Sequence, residues 1–144
     1  MENLYGQLNV QIANWSILYT KLHRYHWYVK GPLFFSLHAK FEELYNEAAT
    51  NVDSLAENLL AAGGAPISTL SEFIEQSTIK EVTTDLTANE MVADLISDYK
   101  HLKIELEALA DTATEFKKDS VNDLALDIIA QIDLHVWMLS AHLG

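Results

Sequence analysis

Residues 3–32 read NLYGQLNVQIANWSILYTKLHRYHWYVKGP, and this stretch decides the fold. Leu8, Ile12, Trp15, Tyr19, Leu22, His26 and Val29 recur at alternating spacings of four and three, the seam of one long amphipathic helix. Gly31-Pro32 ends it, because glycine suits a helix C-cap and proline cannot continue the hydrogen-bond ladder. Residues 3–20 carry no charge, but Asn3, Gln7, Asn9, Gln11, Asn14, Ser16 and Thr20 interrupt them. The segment therefore reads as a half-buried helix and not as a membrane span. A second helix is expected from about Ser36, with Leu37, Phe41, Leu44, Ala48, Val52, Leu55, Leu59 and Ala62 as its apolar stripe. Gly63-Gly64 and Pro66 stop it. So short a connection makes the two helices an antiparallel hairpin.

Further along, the periodicity weakens over residues 67–86. Thr69 to Ile74 can form a short helix inside a long crossover, and the Thr-rich residues 78–87 read as loop. Thr87-Ala-Asn-Glu90 is a capping box that opens a third long helix with the stripe Val92, Leu95, Tyr99, Leu102, Leu106 and Leu109. Residues 112–119 read as a turn containing Lys117-Lys118, and Ser120-Val-Asn-Asp123 resembles a weaker capping box. Leu124, Ile128, His135, Leu139 and Leu143 mark the last helix. The expected fold is all-α, one domain over residues 1–144. A short loop, a long crossover and a short loop describe a ferritin-like four-helix bundle with a short helix in its middle crossover.

Composition narrows the function classes. A 144-residue chain with 49% hydrophobic and 21% charged residues is globular and large enough to bury a core. The absence of cysteine excludes disulfides, iron–sulfur clusters, cysteine-based zinc sites and thiol catalysis. Nine Lys+Arg against 21 Asp+Glu give a net charge of −12. Such a surface repels DNA and anionic membranes and offers oxygen ligands to hard cations. Glu2 stands where a signal peptide carries positive charge, and no compact apolar run follows, so a cytoplasmic protein is expected.

Six histidines are the natural place to look for chemistry. His26 lies on the seam of the first helix, just before the hairpin turn, and His38 lies just after it. An antiparallel hairpin makes them neighbours, and Glu42 follows His38 by one helical turn. Imidazole with carboxylate suits iron, zinc or manganese. For these three residues alone, a core histidine beside a surface His–Glu pair explains the pattern equally well. Asp53 and Glu57 come further down the same helix. At about 100° per residue, Glu42, Asp53 and Glu57 lie roughly 40°, 60° and 100° from His38, so all four flank one side of the stripe. Yet His38 and Asp53 are separated by about 22 Å along the axis. If the four residues form one site, two antiparallel copies of the chain must make it, with two identical sites at each two-fold axis. Bundles that hold iron within one chain use Glu-x-x-His on two helices. No such pattern occurs here. The nearest, Asp98-x-x-His101, has no counterpart on the last helix, and both residues read as surface.

The segments from Lys21 to Gly31 and from Phe34 to Tyr45, followed by Asp53-x-x-x-Glu57, Leu59 to Gly64, Pro66 and Asp133-x-His-x-Trp-Met138, resemble the Dps family, the mini-ferritins. The resemblance covers nearly the whole chain. It implies a hollow homo-dodecameric cage built from two-fold dimers. It implies ferroxidase centres between subunits, with His26, His38 and Glu42 from one chain and Asp53 and Glu57 from its partner. Iron is then the bound metal, in a centre able to take two ions. Fe(II) is oxidised, preferentially by hydrogen peroxide and otherwise by dioxygen, and stored as ferric oxide, which protects against oxidative damage. Glu42 stands where many relatives have Asp. Trp27 occupies a place close to the iron centre in the family, as a radical sink or a packing residue. Asp119, Asp123 and Glu115 resemble acids lining the three-fold pores through which iron enters, although Lys117 and Lys118 do not suit such a lining. In DNA-binding relatives a Lys/Arg-rich tail usually carries that activity; none is seen here, so direct DNA binding is expected to be weak or absent. The rival readings are a DNA-compacting stress protein with little iron chemistry and an oligomerisation module with a dead centre.

Overall fold

Each long apolar period of the sequence forms a helix. The computed structural model describes residues 1–144 and consists of α1 (Glu2–Tyr28), α2 (Phe34–Ala61), the short α3 (Leu70–Gln76), α4 (Ala88–Glu115) and α5 (Asp119–Leu143), with no strand. α1 packs along α2, and α4 along α5. The two hairpins join chiefly through α1 and α4, and α3 lies against α1. Trp15, Tyr25, Phe41 and Tyr99 are the largest fully buried side chains at the centre.

Cross-helix pairs fix the helix directions. Gln11 and Asn14 of α1 donate to Glu105 of α4, whereas Lys21, further along α1, meets Asp94 and Asp98 nearer the start of α4. α1 and α4 are therefore antiparallel. Glu47 with His135, and Asn51 with Gln131, make α2 and α5 antiparallel as well. With short turns closing each hairpin, the order is up-down-down-up, and residues 62–87 cross the length of the bundle. This is the ferritin-like connection. Asn14 holds the crossover in place. Its Oδ1 accepts from the Thr78 backbone N–H at 2.7 Å and from Ser77 Oγ at 2.9 Å, and its Nδ2 donates to Glu105 at 2.8 Å.

The helix ends show which local signals the fold uses. Thr87 and Glu90 form the expected capping box. α2 ends in a Schellman motif: Gly63 sits at φ +98°, Gly64 N–H donates to Leu59 O and Gly63 N–H to Leu60 O. A Cβ at Gly64 would collide with Leu59 and Tyr5. α4 ends in the same motif, with Lys118 N–H on Ala113 O and Lys117 N–H on Thr114 O, but Lys117 holds the left-handed position at φ +56°.

Several expectations need correction. α2 starts at Phe34, ahead of Ser36, whose hydroxyl donates back to Leu33 O instead of capping the helix. α4 runs to Glu115, so its turn shrinks to residues 116–118. The weaker capping box at Ser120–Asp123 does not form, because α5 begins at Asp119 straight after the Schellman turn and has no side-chain cap. Tyr19 leaves the buried seam and packs its ring edge-on against Tyr45. Asp98 is buried, not on the surface, because Lys21 of α1 reaches it at 2.6 Å. His101 is exposed as expected.

α5 is the one helix long and apolar enough to cross a membrane, with a mean hydropathy of 1.4, yet only 28% of that window is buried inside the chain. Leu126, Leu134, Trp137 and Met138 face outward along it.

Candidate metal centre

The hairpin turn builds the first half of the site. α1 stops at Tyr28, so the His26 carbonyl is one of the terminal acceptors that no helical N–H satisfies. His38 Nδ1 lies 2.7 Å from it, and His26 Nδ1 lies 2.7 Å from the His38 carbonyl. Carbonyl oxygens only accept, so both Nδ1 atoms carry the hydrogen and donate. In each neutral ring, Nε2 then keeps its lone pair for a ligand, the arrangement in which an outer hydrogen bond fixes the tautomer of a metal-binding histidine. The rings stack with centroids 3.7 Å apart and planes 12° from parallel. Phe34 stacks on the far side of His38 at 4.9 Å. Gly31, at φ +112°, reverses the chain between the two histidines.

Glu42 completes this half. Its Oε1 is 3.8 Å from His26 Nε2, too far for a hydrogen bond but a span that an ion bound at about 2.1 Å from each atom can bridge. His26 is buried, His38 is half-buried and Glu42 is exposed, so the donors form the floor of an open surface site. Tyr45, one turn beyond Glu42, meets His26 edge-on at 5.4 Å and stacks on His23 at 3.7 Å. Desolvation, and then the Glu42 carboxylate, hold its phenol above its ordinary value.

Asp53 and Glu57 form a second group on the exposed side of α2. A hydrogen bond with Asp53, and then its charge, raise the Glu57 carboxyl above the ordinary glutamate value. The structure thus brings together His26, His38 and Glu42, and separately Asp53 and Glu57. Within one chain, no three His, Asp or Glu side chains converge tightly enough to hold an ion. Trp27 is 67% exposed, and its ring packs on His23 at 5.2 Å. Glu115, Asp119 and Asp123 are exposed around the α4–α5 turn, with Lys117 and Lys118 between them in sequence.

One buried polar cluster and one ring beside the site, Tyr45, escaped the sequence reading. His135 Nε2 donates to Glu47 at 2.7 Å inside the bundle, while its Nδ1 and the Tyr99 hydroxyl are buried without a protein partner. Burial, and then Glu47, push the Tyr99 phenol far up. Tyr45 was the more legible of the missed residues, since it follows His38 by seven positions and so falls on the same helix face.

The ferritin family model, described as a ferritin-like domain, matches residues 5–144. A Bacillus anthracis protein named DNA protection during starvation protein 2 is 47% identical over 137 residues, covering 95% of this chain and 94% of that protein. General stress protein 20U of Bacillus subtilis is 48% identical over 143 residues, 99% of each chain. Among solved structures, Dps from Staphylococcus aureus has a TM-score of 0.98 at 45% identity, covering 100% of this chain and 97% of that one. A zinc-soaked Dps from Listeria innocua has a TM-score of 0.95 at 37% identity, covering 98% and 96%.

Proposed function

This chain belongs to the Dps family of ferritin-like proteins, and we propose on that premise that it oxidises Fe(II) and stores the ferric product inside a homo-dodecameric cage. The observation that carries this reading is the crossed pair of His26 and His38. Each ring spends its Nδ1 hydrogen on the other residue's carbonyl, which leaves both Nε2 atoms free for a ligand, that of His26 3.8 Å from the Glu42 carboxylate. Two borderline nitrogen donors among hard carboxylates suit ferrous iron, the substrate, and still hold the ferric product. Asp53 and Glu57 complete the centre from a second copy, because on their own chain they lie about 22 Å and about 28 Å from His38 along α2. The outward apolar side chains of α5 support burial against further copies.

Hydrogen peroxide is the preferred oxidant, with dioxygen as the alternative. A pair of Fe(II) ions supplies both electrons that peroxide needs to become two waters, and no hydroxyl radical is released. Glu42 is longer by one methylene than the aspartate of many relatives, so its carboxylate reaches further from α2 toward the partner. Glu115, Asp119 and Asp123 are proposed to line the pore that admits iron, with Asp119 at the electropositive start of α5. Trp27 is proposed to limit stray radical damage at the surface. The protein works in the cytoplasm.

Replacing His26 and His38 together, and following Fe(II) oxidation by hydrogen peroxide, tests the assignment; a wild-type rate would overturn it. Light scattering tests the cage. The relatives' names point to DNA protection, and iron chemistry supplies it without contact. At −12 net charge, direct DNA binding is weak. Tight binding in a gel shift, falling steeply with salt, would favour the DNA-compacting reading instead.

A further inference from the structure

Away from the hairpin turn, three side chains converge where the crossover meets α4. His101 and Glu105 are one turn apart on α4, so both lie on the same side of the helix. Thr78 reaches them from the crossover. His101 Nε2 lies 2.9 Å from Thr78 Oγ1 and 3.3 Å from Glu105 Oε2, and Thr78 Oγ1 lies 2.9 Å from that same carboxylate oxygen. An ion held about 2.1 Å from its ligands keeps neighbouring ligands roughly 3.0 Å apart in an octahedral shell and roughly 3.4 Å apart in a tetrahedral one. The triangle therefore already has the sides of one face of such a shell. It is open to solvent, since the His101 side chain is 44% exposed and that of Glu105 is 24% exposed.

Counting hydrogens shows what the triangle lacks. The other Glu105 oxygen, Oε1, is occupied by Gln11 and Asn14, which donate to it at 3.1 and 2.8 Å. Asn14 also donates to Thr78 Oγ1 at 2.9 Å, and the Thr78 hydroxyl has a single hydrogen of its own to give. With His101 neutral and protonated on Nδ1, that one hydrogen serves one side of the triangle, and the other two sides set lone pair against lone pair. A proton on His101 Nε2 resolves this, and a metal ion in its place resolves it equally. The surroundings favour a cation: Asp94 and Asp98 line a cavity of about 420 Å³ beside Thr78 and His101, and Lys21 offsets only one of the two charges. We propose that His101, Glu105 and Thr78 form a further metal site for a divalent first-row ion, zinc foremost, with water in its remaining positions. One imidazole and one carboxylate suit zinc, and the hydroxyl supplies a neutral third ligand. Binding displaces the Nε2 proton, so affinity falls in acid. Thr78 stands two residues beyond the end of α3, so the ion ties the crossover to α4. The site uses none of the donors at the hairpin turn and does not depend on the iron-oxidising reading.

The test uses the full chain carrying His26→Ala and His38→Ala, so that the hairpin histidines take up no metal, with zinc as the probe. Calorimetric titration counts the ions bound per chain, and hydrogen exchange follows the Thr78 N–H, which donates to Asn14. Adding His101→Ala or His101→Gln to this parent should remove one bound zinc per chain. Zinc should slow exchange at Thr78 in the parent and leave it unchanged in both variants. The amide of His101→Gln can still donate to Thr78, so its loss of zinc reports a missing ligand and not a missing hydrogen bond. Equal zinc counts in the parent and the two variants overturn the proposal. So does zinc that binds without slowing exchange at Thr78. If any of these chains does not assemble, anomalous diffraction at the zinc edge from zinc-soaked wild-type crystals decides. A peak between His101 and Glu105 supports the site, and peaks confined to other places refute it.

Discussion

Co-assembling a His26→Ala/His38→Ala chain with an Asp53→Ala/Glu57→Ala chain asks directly whether the centre is shared. Each chain alone builds a cage in which every centre lacks one of its halves, so each should be nearly inactive. In a mixed dimer, the intact histidines of the second chain face the intact carboxylates of the first. That centre is complete, and its two-fold mate lacks both halves. Random pairing makes about half of the dimers mixed, with one complete centre in two, so about a quarter of wild-type activity should return. Exclusive mixed pairing would raise this to about half. The assay is the initial rate of Fe(II) oxidation by peroxide after the chains are unfolded and refolded together. The control is the two cages refolded separately and then mixed, which should stay inactive. Native mass spectrometry establishes that both chains share a particle. Mixed particles no more active than the control would refute the 22 Å geometry and the inter-subunit centre built on it.

Other outcomes follow from single contacts. Lys21→Met strands Asp98 in the bundle without its cation and should cost about 3 kcal/mol, read as a lower thermal midpoint; adding Asp98→Leu should recover most of it. Thr87→Ala removes the side chain that accepts the Glu90 N–H and should cost about 1 kcal/mol in the same assay. The Thr87 backbone N–H, and then its hydroxyl, hold the Glu90 carboxyl below the ordinary glutamate value. Its stabilisation is therefore present above the unfolded pKa and lost as pH falls through the lower folded one, so the gap between wild type and Glu90→Ala should close in acid. Lys117→Gly relieves a left-handed side chain and should raise the thermal midpoint by the equivalent of about 1 kcal/mol; a lowered midpoint would show that the lysine side chain makes up for its backbone.

The sequence made the helices legible because their signals are local and redundant. The seam from Leu8 to Val29, the Thr87 box and the Gly63 stop each act within a few residues. The direction of the crossover was legible only through loop lengths; in the structure it is fixed by side chains far apart in sequence, such as Asn14 with Thr78 and Glu105. Asp98 was misread for the same reason. Nothing near it in sequence announces Lys21, which reaches it from another helix. The site was legible in part. Spacing placed His26, His38 and Glu42 together, but the crossed carbonyl bonds depend on where α1 runs out of helical donors. The ring cluster around Tyr45 needed the packing of α1 on α2.

The separation of the two donor groups along α2 has a consequence for a chain newly released from the ribosome. Such a chain carries the imidazoles at one end and the carboxylate pair at the other, and neither group alone grips iron firmly. If the centre is shared as proposed, dimerisation acts as a safety catch. Peroxide meets bound iron only after a second chain has closed over it, and unassembled chains cannot start radical chemistry on themselves.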